Sequence, residues 1–161
     1  MNTRTPSLLF SVALLLVACQ KEPPSRWDEA AAKAPTPAAS AAPDIKPGSA
    51  FNAFFPPEGA EGTSRVFTAE KPGYAEAKLR KDGGDVASLS ISDTAGDPQV
   101  VAKFASATDH LAGMPVVTVG KNQSAILVKN RFQVKVSSQT LDPEARKEWL
   151  KRFDLSGLAN L

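Results

Sequence analysis

One cysteine and one histidine in 161 residues leave little room for several kinds of chemistry. A lone cysteine forms no intramolecular disulfide, so the thiol content does not mark the redox compartment. Metal centres need clustered His, Cys, Asp or Glu, and His110 has only Asp109 beside it. Hydrolytic machinery lacks its usual parts: there is no G-x-S-x-G turn, and "DGGD" at 82–85 lacks the lysine and helix of a phosphate-binding loop. Charge of one sign is missing as well. The 19 Lys and Arg are interspersed with 17 Asp and Glu, for a net charge of +2 and a pI near 8.7. Such a balance offers no footprint for nucleic acid or for a strongly acidic partner. These absences predict a noncatalytic protein with no cofactor and no metal.

Long hydrophobic runs are absent too, and the one apolar stretch, residues 8–17, has a specific context. It follows Arg4 and leads through small residues to Cys19, the layout of a secretory signal peptide. At roughly ten residues it is half the ~20 that a membrane-spanning helix needs. Leu16-Val17-Ala18-Cys19 resembles the lipobox of bacterial lipoproteins, in which apolar and small residues precede a cysteine. That resemblance covers the first twenty or so residues. It implies cleavage between Ala18 and Cys19, attachment of a diacylglyceryl group to the Cys19 sulfur, and acylation (palmitate or a similar chain) of the new N-terminus. Two or three chains, at about 0.8 kcal/mol per buried methylene, anchor a protein stably where one does not. Gln20 follows the cysteine where an aspartate would favour inner-membrane retention in enteric bacteria. The expected location is therefore the outer membrane, facing the periplasm. The alternative, an ordinary signal that leaves Cys19 as a free thiol, puts an unpaired thiol in an oxidising compartment.

Residues 19–48 are rich in Ala, Pro, Ser and Lys and too poor in large apolar residues to bury a core. They read as a tether, extended at about 3 Å per residue where proline dominates. Trp27, beside Asp28 and Glu29, is its one aromatic, open to readings as a nascent helical turn, a headgroup-level residue or a docking site.

The folded domain is expected over 49–161. Phe51, Phe54 and Phe55 in "FNAFFPP" read as core residues at its edge. "SRVFTAE", "YAEAKLRK" and "DVASLSIS" follow with period two, the last two joined by a hairpin with Asp82, Gly83 and Gly84 at its tip. Asp97 and Pro98 start a helix over 97–113, with Val100, Val101, Phe104, Thr108 and Leu111 on one face and Gly113 ending it. His110 then sits at the exposed end of that helix. "MPVVTVG", "QSAILVK" and "RFQVKVSS" return to strands, with a turn at Lys129-Asn130. A final helix starts at Asp142-Pro143, with an apolar stripe of Ala145, Trp149, Leu150 and Phe153.

The order strands, helix, strands, helix predicts an α+β fold: an antiparallel sheet of about five to six strands with two helices packed on one face or one on each. The closing strand, helix and "FDLSGLANL" resemble, in topology, small periplasmic lipoproteins of the Mog1/PsbP-like kind, and that resemblance carries no catalytic motif.

Two functions of different class fit. One is a noncatalytic binding or assembly module, held at the membrane by lipidated Cys19 and presenting a sheet face or edge, with Lys78, Arg80, Gln133 and Lys135, to an envelope protein. The other is a small-molecule or lipid carrier with an apolar pocket between sheet and helix near Phe104, Val117 and Phe132.

Overall fold

A computed structural model describes residues 44–161, which belong to one compact unit. Ala18, Cys19, Gln20, Trp27 and the first part of the tether fall outside the described residues.

Alternation of small or apolar with polar side chains drives the first three strands, β1 (Ser64–Lys71), β2 (Tyr74–Lys81) and β3 (Gly84–Asp93). A short helix α1 (Pro98–Ala102) and a three-residue strand β4 (Asp109–Leu111) lead into β5 (Met114–Val119), β6 (Gln123–Val128) and β7 (Phe132–Ser137). Helices α2 (Pro143–Lys151) and α3 (Leu155–Ala159) close the chain. The strands form one antiparallel seven-stranded sheet, ordered β1-β2-β3-β7-β6-β5-β4. It is two meanders laid edge to edge, and the β3–β7 pairing is the seam.

The fold is α+β as expected, with seven strands where five to six were predicted and with more, shorter helices. The extra strand comes from residues 97–113. Asp97 caps α1 as expected, accepting from the N–H groups of Gln99 (3.1 Å) and Val100 (3.2 Å), but the helix stops at Ala102. Past it, Ser106 and Thr108 are poor helix formers. Ala112 and Gly113, at φ +51° and +79°, then make a tight hairpin turn that pairs Leu111 with Met114. Gly113 does supply positive φ, as a turn residue and not as a helix end. The Asp82-Gly83 and Lys129-Asn130 turns likewise have positive φ at both residues, while Gly84 opens β3.

The closing helix also divides. The Asp154 side chain accepts from the Gly157 N–H at 2.7 Å and starts a new helix, α3, while its own N–H donates to Phe54 O at 2.9 Å. Helix α2 lies over β6 and β7. With α3 and a 3₁₀ segment, Gly48–Phe54, it covers one sheet face. The main core fills that space: Phe51, Leu89, Ile91, Ile126, Val134 and Leu150 are all fully buried. Phe55 packs at 5.2 Å on Phe67 and 5.4 Å on Phe153, so the three phenylalanines of the 51–55 stretch do feed the core, Phe54 as a partly buried flank. Helix α1 sits on the opposite face. Strand β6 is buried on both sides, sending Ser124, Ile126 and Val128 one way and Ala125 and Leu127 the other, toward Phe104.

The lead-in before Phe51 belongs to the fold. Gly73 N–H donates to Lys46 O at 2.7 Å, and a Cβ on Gly48 would stand 2.5 Å from Tyr74 O and 2.6 Å from Lys71 N and O. Only glycine lets the chain pass that hairpin so closely. The buried carboxylate of Asp93 takes Arg131 Nε at 3.0 Å and Nη2 at 2.8 Å, and Arg131 also donates to the carbonyl of Asp44. The start of the described chain is thereby fastened across the β3–β7 seam.

Candidate functional site

Register brings the predicted surface residues together. β2, β3 and β7 pair so that Tyr74, Ser92 and Gln133 form one rung, Glu76, Ser90 and Lys135 the next, and Lys78, Ser88 and Ser137 the third. All nine side chains point to the face that α2 and α3 do not cover. Serines run down the middle strand and longer polar side chains flank them. Arg80 joins at the end of β2, where it and Lys78 both bind Asp85 (3.3 Å for Arg80). The neighbouring Lys78 ammonium holds the Asp85 carboxyl below the usual carboxylate range. Lys78, Arg80, Gln133 and Lys135 therefore share one surface.

Tyr74 is the aromatic of this face. Its partial burial, followed by the Glu76 carboxylate to which its hydroxyl donates at 2.6 Å, pushes the phenol up to about 12. At the Ser88–Ser137 end the face opens into a cleft of about 470 Å³, edged by Asn122, Gln123, Gln139 and Thr140. Its lining is chiefly hydroxyls and amides, suited to hydrogen bonding and lacking a nucleophile paired with a base.

A second cleft, of about 450 Å³, lies on the helix side between α2 and the ends of β2 and β3. Val86, Leu141, Ala145 and Trp149 provide its apolar surface, and Lys81 and Arg152 stand at its edge. Arg152 sits 5.4 Å from the Trp149 ring and pairs with Glu61. On the same helix, Arg146 is 1% exposed. Its Nε donates to Ser124 Oγ at 3.1 Å and its Nη1 to Leu141 O at 2.6 Å, while Nη2 has no partner among the described residues. A buried arginine normally meets a carboxylate, so this one is conspicuous.

The residues expected to line a carrier pocket do not meet. Phe104 and Val117 belong to the small core on the α1 face, and Phe132 faces Phe51 at 6.0 Å on the other. The sheet stands between them. His110 is exposed, but on β4 and not at a helix end, because the helix stops earlier. Adjacent on a strand, Asp109 and His110 point to opposite faces. Asp109 instead pairs with Lys147 at 2.5 Å, which lowers the Asp109 carboxyl and raises the Lys147 ammonium. No three His, Cys, Asp or Glu side chains among the described residues gather as a metal site, and no described helix is long and apolar enough to cross a membrane.

Sequence reasoning missed three features: the Asp93–Arg131 clamp, the Trp149 cleft and buried Arg146. The first two depend on residues distant in the chain. Arg146 carried a signal, since it falls three before Trp149 and four before Leu150, on the buried stripe. No protein-family model, curated protein or solved structure matches this chain.

Proposed function

We propose that this protein is a membrane-anchored lipoprotein of the bacterial cell envelope. Acylated Cys19 holds it at the periplasmic side of the outer membrane, and its domain is a noncatalytic binding or assembly module for an envelope protein. The observation that supports this reading is the uncovered polar face of β2, β3 and β7. There Lys78, Arg80, Gln133 and Lys135 stand on one surface, with few intramolecular commitments for Gln133 and Lys135. Protein surfaces of this kind recognise partners through many modest polar contacts and fix orientation more than affinity.

Two measurements test the reading. An alkyne fatty acid fed to cells should label the wild-type chain and not Cys19→Ala. A photocrosslinker at position 135, in intact envelopes, should capture one envelope protein that the same group at position 147, on the helix side, does not. Labelling that persists in Cys19→Ala, or identical capture from both positions, would overturn it.

The carrier reading retains support from a different place than expected. The Trp149 cleft is an open, partly apolar recess between sheet and helix, of a size within the usual range for small-ligand sites.

A further inference from the structure

The Trp149 cleft has a charge pattern that narrows what it accepts. Its apolar floor of Val86, Leu141, Ala145 and Trp149 suits a flat or short apolar body. At about 450 Å³ it holds a small molecule and falls far short of two long acyl chains. Both carboxylates at its edge are already matched: Glu61 takes Arg152, and Glu148 takes Lys151 at 2.6 Å. Lys81, at the rim, has no carboxylate partner among the described residues. Arg146, which does not line the cleft, holds Leu141 in place by its carbonyl. One cation without a described carboxylate partner, Lys81, thus stands at the edge of a partly apolar recess whose own carboxylates are already paired. Uncompensated positive charge beside low-dielectric surface favours a negative group there.

We propose that this cleft binds a small organic monoanion with an aromatic or short aliphatic body, such as an aryl carboxylate or sulfonate. The apolar part lies on Trp149 and the anionic group faces Lys81. The proposal rests on the carrier reading above and supplies its ligand class. It leaves the polar face on the opposite side of the sheet free for a protein, so one molecule can engage both.

The test uses the full chain with Cys19→Ala, free of lipid, and Trp27→Phe, which leaves Trp149 as the only tryptophan. Anilinonaphthalene sulfonate is titrated in, with Trp149 fluorescence quenching and dye emission as readouts. Phenylnaphthylamine, which has the same rings without the sulfonate, is titrated in parallel. The expected result is saturable binding of one dye per chain, with the anionic dye roughly fivefold tighter, the worth of one half-exposed ion pair. Lys81→Ala should remove most of that difference and leave the neutral dye unchanged. Ala145→Phe should fill the recess and abolish both, and an unchanged thermal melt confirms that the variant is folded. Equal affinity for the two dyes, with both lost in Ala145→Phe, would overturn the anion proposal and leave the carrier reading standing. Binding that ignores Ala145→Phe, or no saturable binding of either dye, would overturn both.

Discussion

The two faces of the sheet are written in the same strands, one residue out of phase, and they have opposite fates. On β2, Ala75, Ala77 and Leu79 turn inward and Tyr74, Glu76 and Lys78 turn outward. On β3, Leu89 and Ile91 oppose Ser88, Ser90 and Ser92; on β7, Val134 and Val136 oppose Gln133, Lys135 and Ser137. The inward set is fully covered by the 3₁₀ segment, α2 and α3, and supplies most of the hydrophobic stabilisation. The outward set is covered only where β6 and β5 turn apolar, at Ala125, Leu127 and Val117, and there α1 and Phe104 close over it. Stability therefore rests on the covered face, and if the open face docks a protein, substitutions on the two should have separable effects.

The largest effect is expected on the covered face. Leu150 is fully buried between α2 and the sheet, so Leu150→Ala should cost about 3 kcal/mol, read as a lower urea midpoint at unchanged slope. Next is the seam itself. Asp93→Ala leaves Arg131 without its bidentate partner and releases the lead-in at Asp44, for a loss of about 2–3 kcal/mol. The clamp also carries a pH signature. Burial alone would raise the Asp93 carboxyl, but the Arg131 guanidinium, with the N–H groups of Ala95 and Lys46, outweighs it and the net shift is downward. A lowered carboxyl stabilises the folded state above the ordinary value of 3.8, and that contribution disappears as pH falls through the folded value. Wild type should thus lose stability in this acid range more steeply than Asp93→Ala.

Tyr74 gives a sharper comparison, because it is the only tyrosine in the chain and lies on the open face. Its ultraviolet titration should centre near 12 and not at the ordinary 10, since burial and the Glu76 carboxylate oppose phenolate formation. A raised phenol adds stability that is present below 10 and is lost as pH climbs through 12. Glu76→Gln should bring the midpoint down; a wild-type midpoint at 10 would mean that the face is more open to water than the geometry gives.

Much of this architecture was legible because period-two patterning is local. Ala75 to Leu79 and Phe132 to Val136 declare their buried face without reference to anything else, as do the Asp97 and Asp142 caps. Residues 97–113 were misread because Val100, Val101, Phe104 and Leu111 satisfy a helical spacing, yet Leu111 is placed by Met114 across a two-residue turn. The pattern was ambiguous there, and tertiary pairing decided it. The closing helix broke at Asp154 for the same reason: its tie to Phe54 lies a hundred residues away in sequence. The polar face was foreseeable residue by residue, but its three rungs required the β3–β7 pairing, which joins elements separated by β4, β5 and β6. The Trp149 cleft joins α2 to β2 and β3 and left no local trace.

The smallest effect on stability is expected where the effect on recognition should be greatest. Ser88 sits in the third rung beside Lys78 and Ser137, half-exposed, so Ser88→Ala should change stability by less than about 0.5 kcal/mol. Lys135→Glu should do little more to the melt, since no described carboxylate pairs with Lys135 and its neighbours are Ser90 and Ala125. In the envelope, however, reversing that charge places a carboxylate in the same rung as Glu76 and turns the centre of the face from balanced to acidic. If the face is a docking surface, capture of its protein partner should fall several-fold while the melt stays put, because like-charge contacts discriminate partners without touching the fold. If capture were unchanged in both Ser88→Ala and Lys135→Glu, the open face would be a solvated surface and nothing more. The partner would then have to be sought on the helix side.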